Sequence, residues 1–170
     1  SLFYSVFDTR ISRIIRCISD LGHEIGLHFD PSAYMKGNDL ERLNMERILL
    51  SDLTGVEINS FSLHNPSTYD SSKFTELTVQ GMTNASSPLI RENFFYCSDS
   101  NGTWKYQSLK DVLHDHSIEN LYVLTHPVWW TEQTASPRSK IINTIQYRSI
   151  DLENYYDKLL EEHRRPNIRS

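Results

Sequence analysis

Short apolar runs alternate with helix-spaced apolar residues along this 170-residue chain, and the alternation is what most constrains its fold. A run of four to eight apolar residues between turn formers predicts a buried strand. Strands that alternate with helices predict a parallel sheet with helices packed outside it. The predicted strands, in chain order, cover residues 23–29, 58–63, 93–97 and 121–124.

Helix boundaries are marked by residues suited to capping. Asp8 or Thr9 can begin a first helix that Gly22 ends, and Asn38, with Glu41 three residues on, resembles a capping box before a helix that Gly55 closes.

Ser136-Pro137 opens a long C-terminal helix that reaches about Leu160. Its predicted buried stripe is Ile141, Ile145, Leu152, Tyr156 and Leu159. Residues 66–87 are rich in Ser and Thr and predict a loop, with a short helix at 73–77.

Composition indicates one domain spanning residues 1–170 that binds neither nucleic acid nor a membrane core. With 38% hydrophobic residues, the chain is long enough for one core. A net charge of −5 gives no general attraction to polyanions, and no apolar stretch approaches the ~20 residues that cross a bilayer. Cys17 and Cys97 predict two reduced thiols, which favours a cytoplasmic setting.

Histidines stand at or just after three of the apolar runs. His28 follows EIGL, His64 follows INSFSL and His126 follows LYVLT, with Asp30 and Asp99 nearby. Imidazole is the commonest metal ligand and moves protons near neutral pH, so these residues predict a site at the strand ends. The structural alternative is a histidine with no functional role. It is favoured for His23, which can anchor the turn after the first helix, and for His114 and His116, which are predicted to be exposed on a polar helix end.

Four ordered motifs resemble the polysaccharide deacetylase (NodB-homology, carbohydrate esterase family 4) group. They are LGHEIGLHFD, FSLHNPS, YCSDSNGTW and VLTHPVWW, and together they span about residues 11–130. The resemblance is to a divergent branch associated with surface-polysaccharide biosynthesis, such as that of O-antigen or capsule.

That resemblance implies an α/β fold, a deformed (β/α) barrel of about seven parallel strands, with residues 1–135 as barrel core and 136–165 as a C-terminal helix. It implies a hydrolase that removes an acetyl group from an N-acetylated sugar with one divalent metal ion. Zinc is the first expectation, and iron, cobalt and manganese suit the same ligands.

The resemblance also assigns residues to roles. His28 corresponds to a metal ligand, His126 to the catalytic acid and Asp99 to the carboxylate that orients it. Trp104 corresponds to an aromatic wall of the acetyl pocket. The tandem Trp129 and Trp130 are equally suited to stacking on sugar rings and to filling a core.

Two departures from the family pattern affect the metal site. The position of the second metal histidine holds Ser32. Either Asp30 or His64 replaces it, or the site does not bind metal as the family does. The family's Asp-Asp strand is expected before residue 11, where Asp8 is the only acidic residue and is predicted to be a helix cap. The chain is therefore expected to be N-terminally incomplete as a barrel, and an apolar strand ending in paired aspartates upstream of Ser1 would nearly settle the class.

Two other functions remain open at this stage. One is a catalytically degenerate barrel that binds glycan or another subunit, which Ser32 and the lack of paired aspartates favour. The other is metal-dependent phosphoester hydrolysis, against which stand the absence of a Gly-rich phosphate loop and the few basic residues near the motifs. The enzyme interpretation leads because a binding module needs no acid with an orienting carboxylate.

Overall fold

The computed structural model describes residues 5–33 and 37–168 and forms two compact units, Ser1–Phe95 and Tyr96–Ser170. The first unit contains three helices and four strands, in chain order α1 Thr9–Asp20, β1 Leu27–Phe29, α2 Asp39–Thr54, β2 Ser60–Leu63, β3 Thr78–Val79, β4 Met82–Asn84 and α3 Pro88–Asn93. The second begins with β5 Phe95–Ser98 and continues with α4 Leu109–His114, β6 Leu121–Leu124 and α5 Pro137–Glu162.

Local sequence signals place the ends of the helices correctly. The carboxylate of Asp8 accepts a hydrogen bond from the backbone N–H of Arg10 and caps α1. The side chain of Asn38 accepts from the backbone N–H of Leu40 and caps α2, which ends at Gly55 in the left-handed conformation. Ser136 caps α5, with Pro137 at its first position. These predicted boundaries are confirmed.

The four-stranded sheet of the first unit has the order β1-β2-β4-β3. β1 pairs in parallel with β2, and β2 with β4, whereas β3 and β4 form an antiparallel hairpin. The turn of that hairpin is Gln80-Gly81, and both residues have positive φ, as a type I′ turn requires. The sequence prediction of a loop over residues 66–87 missed this hairpin.

One face of this sheet is apolar and the other is polar. Along β1 the side chains of Leu27 and Phe29 are buried whereas His28 is exposed. The buried face packs with α2 and builds the core, whose members are Leu27, Phe29, Leu43, Ile58, Phe61, Leu63, Phe74, Val79 and Met82. Burial on one face only explains why apolar and polar residues alternate in these strands.

The predicted barrel of about seven parallel strands is wrong. The residues described form one mixed four-stranded sheet and a separate two-stranded sheet of β5 and β6, with no closed barrel. The strands have only two to four residues each. Strands of a parallel barrel are buried on both faces and carry near-continuous apolar runs, whereas buried and exposed residues alternate in β1. His28 and His64 therefore belong to one sheet, and Asp99 and His126 follow strands of the other, contrary to the expectation of one parallel set.

Helix α5 forms with its predicted bounds but without its predicted burial. None of its side chains is buried, and Ile145, Leu152 and Tyr156 are each more than half exposed. The helix contacts the rest of its unit chiefly at the turn Pro127–Trp129, where the Lys140 ammonium donates to the carbonyl oxygen of Trp129 at 2.7 Å. Periodicity identified the helix correctly, but a stripe is buried only where a partner covers it.

No helix in the described part of the chain is both long and apolar enough to cross a membrane.

Candidate functional site

Asp99 and His126 form a close pair in the second unit. Nδ1 of the His126 ring lies 2.7 Å from Oδ1 of Asp99, and the backbone N–H of His126 donates to Oδ2 of the same carboxylate at 3.1 Å. The Asp99 side chain is 5% exposed and that of His126 is 43% exposed. A buried carboxylate thus holds a histidine whose ring reaches solvent.

The two strands of this unit bring the pair together. Asp99 directly follows β5, and His126 comes two residues after β6. The backbone N–H of Asp99 donates to the carbonyl oxygen of Leu124 at 3.2 Å, which continues the contact between the strands. Asp99 is therefore fixed by backbone pairing to the strand that precedes His126.

The pair has the arrangement of a general acid or base with its orienting group. A buried carboxylate needs hydrogen-bond donors, and here His126 supplies two of them. The short Nδ1 contact favours the ring form that carries a proton on Nδ1, which leaves Nε2 to exchange a proton with another molecule.

Cys97, two residues before Asp99, does not have the properties of a nucleophile. Burial, and secondarily the negative charge of Asp99, raise the pKa of its thiol. The thiolate is the reactive form, so a raised pKa makes this cysteine inert. Neither cysteine forms a disulfide; Cys97 is buried and Cys17 is exposed.

His28 and His64 form a second pair, in the first unit. Nε2 of His28 lies 3.1 Å from Nδ1 of His64, and the rings meet edge to face at 5.2 Å between centroids. Nδ1 of His28 contacts the hydroxyl of Ser62 at 2.8 Å, because the parallel register sets His28 beside Ser62 on the polar face of the sheet. His28 therefore lies within β1, and not beyond its end as the sequence suggested.

Asp30 lies at the other edge of the His64 ring. Its Oδ2 is 4.0 Å from Nε2 of His64, and its Oδ1 accepts from both the hydroxyl and the backbone N–H of Ser32, at 2.6 and 3.0 Å. The hydroxyl hydrogen bond from Ser32 is the main reason that the pKa of Asp30 lies below its ordinary value. Asn65 contacts the same Nε2 of His64 at 3.0 Å.

This geometry suits two metal ligands better than three. Nε2 of His28 and Nδ1 of His64 are 3.1 Å apart because they share a hydrogen bond, so one of them carries a proton that a metal ion would have to displace. Asp30 faces the opposite ring nitrogen and does not converge on the same point. Within residues 5–33 and 37–168, no group of three or more His, Cys, Asp or Glu side chains is arranged to hold a metal ion.

The tryptophans predicted to contact sugar differ in their surroundings. Trp130 is 65% exposed, whereas the indole Nε1 of Trp129 is buried without a hydrogen-bond partner among the described residues. Trp104 is half-buried in the loop before α4. Of the tandem pair, Trp130 suits ring stacking with a ligand, and Trp129 suits packing within its own unit.

Sequence reasoning overlooked two polar residues. Ser62 is predictable in retrospect, since residues two apart in a strand share a face and His64 lies two residues on. Tyr69 packs against the core, and its hydroxyl is buried without a partner in the described part of the chain. Burial, and secondarily the charge of Asp30, raise the pKa of Tyr69 to about 12. No short-range sequence signal marks that hydroxyl.

His23, His114 and His116 are exposed and belong to neither pair. The ring of His114 donates from Nδ1 to the carbonyl oxygen of Lys110 at 2.6 Å, within the last turn of α4. The predicted exposure of His114 and His116 is confirmed.

No protein-family model, no curated protein and no solved structure matches the chain.

Proposed function

We propose that this protein is a hydrolase that removes the acetyl group from an N-acetylated sugar, with His126 as general acid and Asp99 as its orienting carboxylate. The observation that carries the proposal is the double hydrogen bond between the buried Asp99 carboxylate and the partly exposed His126. The motif resemblance supplies the reaction class and the surface-polysaccharide setting.

In the proposed reaction a water molecule attacks the acetyl carbonyl carbon and loses a proton to solvent, and the C–N bond then breaks. His126 donates a proton from Nε2 to the departing sugar nitrogen, which leaves as an amine while the acetyl group leaves as acetate. Asp99 keeps Nδ1 protonated and stabilises the charged imidazolium before the transfer. Proton donation is needed because an amine anion is too basic to leave unprotonated.

We further propose that His28 and His64 are the residues that hold a divalent metal, with Asp30 outside the coordination sphere in its present orientation. The nitrogen separation of 3.1 Å and the exposed position of His28 support this assignment. A divalent ion held there would lower the pKa of a bound water and so activate it. Ser62, by contacting the other nitrogen of His28, orients that ring.

A glycan-binding module without catalysis is the second candidate. The observation that favours it is that these side chains contact one another in a row and do not converge on one point. The row runs from Ser62 to His28, His64 and Asp30. At its end the Asp30 carboxylate accepts a hydrogen bond from the Ser32 hydroxyl. Under this alternative Trp130 would stack on sugar, and the histidines would serve as hydrogen-bond donors.

The deciding experiment measures acetate release from N-acetylglucosamine oligomers in the presence of zinc, cobalt or manganese. It uses the chain together with whatever sequence its gene encodes upstream of Ser1. Metal-dependent acetate release that is lost in His126→Ala supports the enzyme. Saturable oligomer binding by wild type, without acetate release under any metal, would favour the binding module.

A further inference from the structure

The turns that follow Asp99 and His126 are built alike. Ser100–Gly102 forms a short 3-10 turn, in which the N–H of Gly102 donates to the carbonyl oxygen of Asp99 at 2.9 Å. Pro127–Trp129 forms another, in which the N–H of Trp129 donates to the carbonyl oxygen of His126 at 3.0 Å. The carbonyl oxygen of each residue of the pair thus accepts the hydrogen bond that closes the turn after it.

The first turn has an unusual backbone. Asn101 and Gly102 both have positive φ, 61° and 75°. Glycine adopts this left-handed conformation without a steric penalty and asparagine tolerates it, so the sequence of this turn suits its backbone.

The two turns touch at Gly102. A Cβ on Gly102 would lie 2.8 Å from Cγ and 3.0 Å from Cβ of Pro137, and 3.3 Å from Cε3 of Trp129. The first two distances are too short or very tight for carbon atoms, so the close approach depends on the absence of a side chain. Lys140, in the first turns of α5, donates a hydrogen bond to the carbonyl oxygen of Trp129 and so holds the start of α5 against the turn after His126.

We propose that Gly102 is a positioning residue, whose close packing against Trp129 and Pro137 holds the two turns together and fixes the hydrogen bond between Asp99 and His126. A side chain at position 102 would push the turn after Asp99 away from the turn after His126. Hydrogen bonds weaken steeply with distance and angle, so a displacement of a few tenths of an ångström would loosen the pair. The catalytic consequence rests on the proposed role of His126, whereas the structural one does not.

The test is Gly102→Ala in the full chain, with the ring of His126 observed by ¹H–¹⁵N NMR. In wild type the Nδ1 proton should be protected from exchange by its bond to Asp99, and Asp99→Ala assigns the signal by removing it. We expect Gly102→Ala to lose this signal or to broaden it strongly. Turnover should fall about 10- to 100-fold with KM little changed, as expected for a misplaced catalytic group.

Gly81→Ala is the matched control. Gly81 has φ of 76°, nearly that of Gly102, but a Cβ added to Gly81 would meet no described atom within 4 Å. It therefore carries the same backbone strain without the steric contact, and the His126 signal should not change. Adding Pro137→Ala to Gly102→Ala removes the closest contact and should restore part of the signal.

A folded Gly102→Ala protein with an unchanged His126 signal would overturn the proposal, because a merely structural glycine lowers the melting temperature alone. If Gly102→Ala does not fold, the double variant decides: a partly restored signal supports the proposal, and a folded protein without the signal overturns it. The signal requires no substrate. The two proposals can therefore fail separately. If Gly102→Ala loses the signal but the wild type releases no acetate, the positioning role of Gly102 is supported and the proposed function is contradicted.

Discussion

The backbone N–H of His64 donates to the carbonyl oxygen of Phe29 at 2.8 Å. This bond extends the parallel ladder between β1 and β2 one residue past the end of β2. It places the His64 ring beside that of His28, so the histidine pair is positioned by the same hydrogen bonds that build the sheet.

The first prediction concerns metal binding by this pair. We expect the dialysed protein to hold less than one zinc ion per chain, because only two imidazole nitrogens lie together, a hydrogen bond joins them, and Asp30 faces the other edge of the His64 ring. His28→Ala and His64→Ala should each weaken zinc binding by at least about tenfold, measured by competition with a chromogenic chelator. His114→Ala, which removes an exposed histidine of the other unit, is the control. Zinc affinity that survives both substitutions would place the metal elsewhere.

The second prediction concerns the proposed acid. His126→Ala should reduce turnover by about 10²- to 10⁴-fold while metal content is unchanged, since a positioned proton donor contributes that much. Asp99→Asn should act in the same direction but less strongly. The double variant should be little slower than His126→Ala alone, because residues that act as a unit are not additive. Acetate release at the wild-type rate in His126→Ala would reduce this histidine to a structural role.

The third prediction concerns alkaline pH. A tyrosine ionises near pH 10 in the unfolded chain, whereas Tyr69 in the folded protein has a pKa of about 12. Its contribution to stability is therefore complete below about pH 10 and is lost as the pH rises through 12. We expect Tyr69→Phe to lose less stability between pH 9 and 11 than wild type, measured by urea denaturation. Tyr147→Phe, at a residue 74% exposed, should follow wild type. An equal fall in all three proteins would contradict the prediction.

The fourth prediction concerns Asn84, whose side chain is fully buried. Its amide donates to the carbonyl oxygens of Phe74 and Glu76 at 2.8 and 3.1 Å and accepts from the N–H of Ser86 at 3.0 Å. Asn84→Asp would set a carboxyl oxygen against two carbonyl oxygens and should cost at least about 3 kcal/mol in chemical denaturation. The exposed Asn93, which makes one such bond, provides the comparison: Asn93→Asp should cost about 1 kcal/mol or less. Similar losses for the two variants would mean that burial is not the cause.

Much of the secondary structure could be predicted because it depends on neighbouring residues. Asp8 and Asn38 cap their helices through the next residues along the chain, and Gly55 ends α2 through its own conformation. The hairpin turn at Gln80-Gly81 was missed because glutamine rarely occupies a left-handed position, where Asn or Asp is the usual signal.

The arrangement of the strands could not be predicted in the same way. Helix–strand alternation is compatible with a barrel. In β1, however, Leu27 and Phe29 are buried and His28 is exposed, and this one-sided burial depends on which elements pack against the sheet. For the candidate site, the sequence indicated the residue types, and the structure added their contacts. It brings together Asp99 with His126, and His28 with His64, while Ser32 engages Asp30.

Buried and exposed side chains alternate along β1, so the position of His28 on the polar face depends on the same register that buries Leu27 and Phe29. This dependence limits which length changes the segment can accept. Deleting or inserting one residue within β1 would shift the rest of the strand by one position and exchange its faces. The imidazole of His28 would then enter the apolar core, and Phe29 would turn to solvent. Variants of this chain that preserve folding should therefore tolerate altered loop lengths between the elements far better than single-residue length changes within residues 27–29.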